Sequence, residues 1–498
     1  MGEIRKQSII NSVFSYSGIL IGFVYLIFVL PAALSKEELG LSRFLLSASV
    51  LLGTLFTLGL GAFTLRFFPQ FRDSGTGHHG FLRLILFISA LGFLLMSVLL
   101  FIFKGQMARW FSDSHSIIEY GYLVLPMAFS LGMFSVVNAY CMALFRTAMG
   151  SFLNDVFIRL LLLALALFHL AGWISFEIFL YSTAGAFLLQ LIAMLIYVML
   201  IDNGLQHAID WRFIRSNNAR SMFTYLVYLA PAGLASMALR QIDTVLLGSN
   251  IAGEGVLEGV AIFSVAVTIA VLIDAPAASL GRISDAKISD AIHRRDFSFI
   301  SRTYHSSVRL LAVIGGLLYV GILINLQNLW QVMPDDYSGG TVVVYILGFS
   351  AFVNMATGVN GSLLTLSEHF RKVARLLFVL VVLSVLLNLW LIPHYGIMGA
   401  AIASAVSMVS YNVCKTWMVW REFKVQPLDR SLLIVMLLMT ACYFLNNIIP
   451  TVFNPWLDSA MRSAIILLVY SLVCFWTGLI PELSEILATV RKRLGVHK

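Results

Sequence analysis

Ser221-Met-Phe-Thr-Tyr-Leu-Val-Tyr-Leu-Ala-Pro231-Ala-Gly-Leu-Ala-Ser-Met-Ala-Leu-Arg240-Gln-Ile-Asp243-Thr-Val-Leu-Leu-Gly248 decides how this chain is read. The stretch is apolar and long enough to cross a bilayer, which takes about 20 residues of helix. It follows the polar run from Asp202 to Arg220, close to the midpoint of the sequence. Yet it carries Arg240 and Asp243, three residues apart and therefore on one helix face. A charge at the centre of a membrane helix costs roughly 2.5–3.5 kcal/mol on insertion scales. Such residues face a bundle interior or a wet cavity. The alternative is that Arg240 lies near the outer end and snorkels to the headgroups.

The rest of the chain has the same character. It has 498 residues, 59% hydrophobic and 12% charged, with mean hydropathy +0.90. A soluble protein is about 25% charged, so this is an all-α polytopic membrane protein. Apolar stretches predict about fourteen transmembrane helices. They run near 8–33, 41–66, 80–103, 117–142, 152–173, 176–201, 221–248, 257–281, 304–326, 340–366, 373–393, 396–420, 430–449 and 460–480. The first apolar run is longer than a signal-peptide core and reads as a retained span. The longest polar connections are 203–220 and 282–303. The run 203–220, read as a cytoplasmic linker, divides the chain into six spans before it (1–202) and eight after it; the division of those eight into a second lobe (221–424) and two further spans with a basic tail (425–498) is what the resemblance given below implies.

Lysine and arginine set the orientation. With the N-terminus inside, nearly all basic residues fall in inner loops, from Arg5 and Lys6 through Arg212, Arg215 and Arg220 to Lys498. The outer side keeps little more than Lys36, Arg43, Lys104, Arg109 and Arg462. Basic loops stay cytoplasmic, so both termini are expected there. The net charge of +8 is explained by this topology, and no nucleic-acid partner is expected.

Several chemistries are excluded. Cys141, Cys414, Cys442 and Cys474 all lie in apolar segments and form no metal-ligand or disulfide pattern. No phosphate-binding GxxxxGK[ST] motif occurs. Asp335 and Asp336 read as a solvated turn. No outer loop is large enough to hold a catalytic domain, so no enzyme, cofactor or resident metal is expected.

Polar residues inside the spans are the functional candidates. Asn138, Asn354, Asn360, Asn388 and Asn412 are each read first as interhelical glue; Gln190 and Lys415 also lie inside spans. Asp155 and Arg159 are spaced to pair with each other. Asp274 is followed by Pro276, which denies the carbonyl of Leu272 its helical bond. A carboxylate beside freed carbonyls suits a proton or sodium site, or a hinge; a paired acid near the inner interface is the plain alternative. Gly18 and Gly22 form a GxxxG packing face. Pro126 and Pro231 are expected to kink their spans.

Four stretches resemble one family. Asn388-Leu-Trp-Leu-Ile-Pro-His-Tyr-Gly-Ile-Met-Gly-Ala-Ala-Ile-Ala403 is similar to a motif of the polysaccharide biosynthesis membrane proteins. Leu58–Pro69, Arg240–Gly248 and Pro334–Tyr337 resemble other parts of the same proteins. These are Wzx-like lipid-linked oligosaccharide flippases of the multidrug/oligosaccharidyl-lipid/polysaccharide exporter superfamily. The resemblance implies two six-helix lobes, with two extra C-terminal helices here, and alternating access in the bacterial cytoplasmic membrane. It also implies a cationic cavity for a polyprenyl-pyrophosphate-linked glycan, with glycan polymerase machinery as a partner. Arg240, helped by Arg43 or Arg159, is expected to meet the anionic head. Asp243 or Asp274 is expected to couple H+ or Na+. The last two spans also resemble those of peptidoglycan-precursor flippases. The arginine-rich first-span motif of those proteins is missing, which favours surface polysaccharide. A drug/cation antiporter of the same superfamily would instead line its cavity with acids. A membrane glycan polymerase or ligase would need a sizeable outer loop.

Overall fold

A computed structural model describes residues 2–112, 114–216, 220, 222, 224–226, 239, 241–249, 255–294, 296–367, 369–427 and 429–479. Every regular element among them is helical. Twelve helices are long and apolar enough to span a membrane: α1 (Ile10–Ala33), α2 (Lys36–Phe71), α3 (His78–Ile102), α4 (His115–Ala143), α5 (Ala148–Leu170), α6 (Phe176–Ile201), α7 (Val256–Ala277), α8 (Phe297–Val332), α9 (Ser338–Ala356), α10 (Lys372–Phe423), α11 (Arg430–Ile448) and α12 (Pro455–Trp476).

Helix α10 is two spans. Gly396 has φ 53° and ψ −128°, a conformation open in practice only to glycine. The chain reverses there, and Gly399 comes against the carbonyl of Leu391, 2.3 Å from where its Cβ would stand. With α10 counted twice, the described residues account for thirteen of the expected fourteen spans; the remaining one, 221–248, lies largely outside them.

The chain forms two compact units, Met1–Ser264 with Leu377–Ala400, and Val265–Leu376 with Ala401–Lys498. In the first, α2 packs along α4. Gly53 allows it: a Cβ there would stand 3.0 Å from the carbonyl of Ala128. Phe63, Phe67, Phe68, Phe71, Phe81 and Tyr140 belong to its core, towards the C-terminal end of α2. In the second, α8 packs on α9, α11 and α12. Gly316 of α8 faces Tyr470 and Met439, and the Tyr470 hydroxyl donates to the carbonyl of Val313 at 3.0 Å. The two additional C-terminal spans are thus keyed into this unit through α8.

Two expectations need correction. The polar connection 282–303 is largely helix, because one helix runs Val256–His293 and the next begins at Phe297. Both extend beyond the apolar stretches, and their polar ends keep helical hydrogen bonding in water as well as in lipid. Helix formation does not need apolar side chains, so hydropathy marks the membrane and not the helix end. Pro126 is not a mid-helix kink. It lies in the first turn of Val124–Ala143, after a 3-10 turn at Gly121–Leu123, where its missing N–H is not needed. Pro231 lies outside the described residues.

Candidate functional site

The first unit holds its intramembrane charges around α1, α2 and α5. Gly18 and Gly22 draw α1 onto α5: a Cβ at Gly18 would stand 2.3 Å from the carbonyl of Asp155, and one at Gly22 3.1 Å from an Nη of Arg159. Asp155 lies in a π-helical turn, Phe152–Phe157, a bulge type frequent at functional sites. Its carboxylate accepts from Ser15 Oγ at 2.9 Å and from Asn154 Nδ2 at 2.9 Å. Arg159, one turn further on, lays its guanidinium across the face that Gly22 leaves bare. Arg43 lies about two turns into α2, within electrostatic reach of Tyr25 on α1, itself in a π-helical turn, Tyr25–Val29. The Nε of Arg43 is buried and has no hydrogen-bond partner among the described residues.

Asp243 is 5% exposed. It accepts from Asn388 Nδ2 at 2.7 Å, and that nitrogen also meets the carbonyl of Ser384 at 2.8 Å. Asn388 is fully buried, and its Oδ1 has no hydrogen-bond partner among the described residues. Buried polar groups are nearly always partnered, so this acceptor beside a buried carboxylate is an exception. Arg240 lies outside the described residues.

The second unit gathers residues that the sequence presented singly. Asp274 Oδ1 accepts from Asn354 Nδ2 at 3.1 Å. Lys415, on the second arm of α10, is within electrostatic reach of Asp274. Thr357 Oγ1 meets Asn412 Oδ1 at 3.3 Å, and Asn360 Nδ2 meets Thr416 Oγ1 at 3.4 Å. Three elements, α7, α9 with its extension Asn360–Thr365, and α10, therefore share one buried polar seam. Helical spacing shows none of these pairings: the hydrogen-bonded partners are 55 to 80 residues apart in sequence, and Lys415 lies further still from Asp274.

The first unit also holds a cleft of about 590 Å³, lined by Arg72, Asp73, His78, Leu144, Phe145, Arg146, Ile201 and Asp202. His78 Nδ1 accepts from the N–H of Asp73 at 3.0 Å, so its proton sits on Nε2, which donates to Asp202 at 3.1 Å. Tyr140 and the N–H of Gly204 also donate to Asp202, at 2.6 and 2.8 Å. The start of the linker is docked alongside. Asp210 accepts from the N–H groups of Phe213 and Arg212, and His79 pairs with it at 3.3 Å while stacking on Phe213 at 3.7 Å. The Phe213 N–H, and then His79, hold the Asp210 carboxyl below the usual carboxylate range. The sequence reading missed this cluster; the pair of histidines between Gly77 and Gly80 was its only mark.

No family model and no curated protein matches the sequence. Solved structures do match. A lipid II flippase, MurJ, in an inward closed conformation has TM-score 0.72 at 13% identity, over 95% of this chain and 100% of that one. An inward-facing multidrug resistance MATE family transporter of the MOP superfamily has TM-score 0.58 at 14% identity, over 85% and 94%. A MOP superfamily transporter from Pyrococcus furiosus, described as having a binding pocket of reversed polarity, has TM-score 0.54 at 14% identity, over 85% and 95%. Each of the three spans nearly all of its own length on this chain, and the chain has the fold of the MOP-superfamily transporters.

Proposed function

We propose that this chain flips a polyprenyl-pyrophosphate-linked oligosaccharide across the bacterial cytoplasmic membrane, for surface polysaccharide biosynthesis. The observation that carries the reading is Arg43: a guanidinium inside an apolar helix whose buried Nε finds no acceptor among the described residues. Leaving such a donor unmet is costly, and an anionic head that enters the unit would meet it. Arg159 adds a second cation in the same unit, and Arg240 a third in the sequence. The likeness to a lipid II flippase supports a lipid-linked cargo. Neither the diphosphate nor the glycan can cross hydrocarbon unaided, and cargo-driven exchange between inward-open and outward-open states would carry them. H+ or Na+ would couple at Asp243, where Asn388 presents its orphan oxygen, or at Asp274. Both termini would lie in the cytoplasm, and glycan polymerase machinery would receive the product.

The test is reconstitution of the full chain in liposomes with a fluorescent polyprenyl-diphosphate sugar. Arg43→Gln and Arg240→Ala should each cut flipping at least about tenfold, the worth of one charge-assisted contact, while the proteins remain monodisperse. Unchanged flipping in both would overturn the reading. Efflux of a cationic dye with no flipping would favour the drug/cation antiporter.

A further inference from the structure

Lys415 is the most exceptional charge in the molecule. It is 6% exposed, and among the described residues its ammonium makes no hydrogen bond and no direct ion pair. Its contacts are the face of Tyr411, 4.3 Å from the ring centroid, and the through-space charge of Asp274. The Asp274 carboxylate is instead bonded to Asn354. Asp274 is therefore nearby but bonded to Asn354, and among the described residues the Lys415 ammonium, with three N–H donors, has no hydrogen-bonded acceptor. Arg462, in the same unit, shows the contrast: it is equally buried, and its donors reach Asp458, Asn446 and the carbonyl of Ile449.

The surroundings are those of a ligand site. The helix of α9 stops at Ala356, turns through Gly358 with φ +64°, and resumes at Asn360. Only glycine suits that turn, because a Cβ would meet Ser307 and Val308 at 2.8 Å as well as strain the backbone. Discontinuous helices at membrane depth are tolerated where they line a cavity or a site. Asn354 and Asn360 flank this break, and both face the α7 and α10 partners of the seam.

We infer that Lys415 is an anion-binding residue of the second unit, which takes the diphosphate of a prenyl-diphosphate ligand, and that Asp274 is its built-in counter-ion, which competes with that ligand. The inference rests on the anionic-head reading above and adds a named residue pair to it. The consequence is a difference of sign. If the two residues only hold each other, removing either is equally harmful. If Asp274 competes with the ligand, removing its charge strengthens anion binding, while removing the charge of Lys415 abolishes it.

The experiment measures binding of geranylgeranyl diphosphate, with geranylgeraniol and inorganic pyrophosphate as controls, to the purified full chain in detergent by thermophoresis. Lys415→Met should weaken diphosphate binding by about tenfold or more, Lys415→Arg should restore most of it, and Asp274→Asn should tighten it. Geranylgeraniol binding should be the same in all four proteins. Equal binding in Lys415→Met and wild type, or weaker binding in Asp274→Asn, overturns the inference. If Arg43→Gln still loses binding in that case, the anionic-head reading stands without Lys415. If the wild type prefers neither diphosphate over the alcohol, both fall.

Discussion

Replacing Gly18 by alanine tests the contact on which the first unit's charges depend. The added Cβ would stand 2.3 Å from the carbonyl oxygen of Asp155, 2.9 Å from its carbon and 3.0 Å from its Cβ. Ordinary contact begins near 3.4 Å, so α1 and α5 must part by about 1 Å. The obstacle is backbone and cannot rotate away. Overpacking of this kind costs about 1–3 kcal/mol. The separation also loosens the Ser15–Asp155 bond at 2.9 Å, and an interhelical hydrogen bond in a membrane is worth about 0.6 kcal/mol, at most about 1.7. The expected loss is thus about 2–4 kcal/mol. Gly22→Ala is the internal control. Its Cβ meets only the flexible end of Arg159, at 3.1 Å, and should cost less than about 1 kcal/mol. Unfolding of the purified chain by SDS titration, followed by tryptophan fluorescence, measures both. A Gly18→Ala protein within about 0.5 kcal/mol of wild type, or a Gly22→Ala protein more damaged than it, would refute this account of the α1–α5 approach.

Arg462→Met should be among the most destabilising single changes in the second unit, by about 3–5 kcal/mol in the same titration, because it strands a buried carboxylate. Asp458 would keep Asn328 and the N–H of Val452 but lose its charge partner; a loss below about 1 kcal/mol would contradict the geometry. Docking of the linker should depend on pH through Asp210. Its folded-state carboxyl lies below the usual range, so the stabilisation is present above that range and is lost as pH falls through the depressed value. Amide exchange at Arg212 and Phe213 should accelerate in that window, and Asp210→Asn should accelerate it already at neutral pH; protection unaffected by either would exclude the carboxylate as the anchor.

Composition revealed the spans because a lipid environment imposes the same demand on every crossing segment. The GxxxG pair at Gly18 and Gly22 was legible for a similar reason: close helix approach needs small residues at one spacing. Partner identity was not legible. Asn388 was visible as part of a family-like motif, but nothing in the sequence tied its amide to Asp243, 145 residues earlier. Lys415 appeared as one polar residue among several, since its singularity lies in what surrounds it. Hydropathy also misjudged helix ends: it closed the helix of α7 near residue 281, although the backbone stays helical to His293. The docked start of the linker escaped as well, because its anchors, His78 and His79, adopt left-handed φ values of 57° and 51° that tertiary contacts must supply.

Hydrogen-bond accounting separates the structural charges of this membrane protein from the functional ones better than burial does. Asp458 and Arg462 are as deeply enclosed as any ionised pair here, at 3% and 6% exposure, yet four protein groups besides each other satisfy them: Asn328, the N–H of Val452, Asn446 and the carbonyl of Ile449. A set so complete has nothing left to offer a ligand, and its effect is to fasten α8, α11 and α12 together. Arg43 and Lys415 are the opposite case. Each sits within a span; among the described residues the Arg43 Nε has no hydrogen-bond partner, and the Lys415 ammonium makes no hydrogen bond and no direct ion pair. A folded chain bears such a deficit only where something else makes it good.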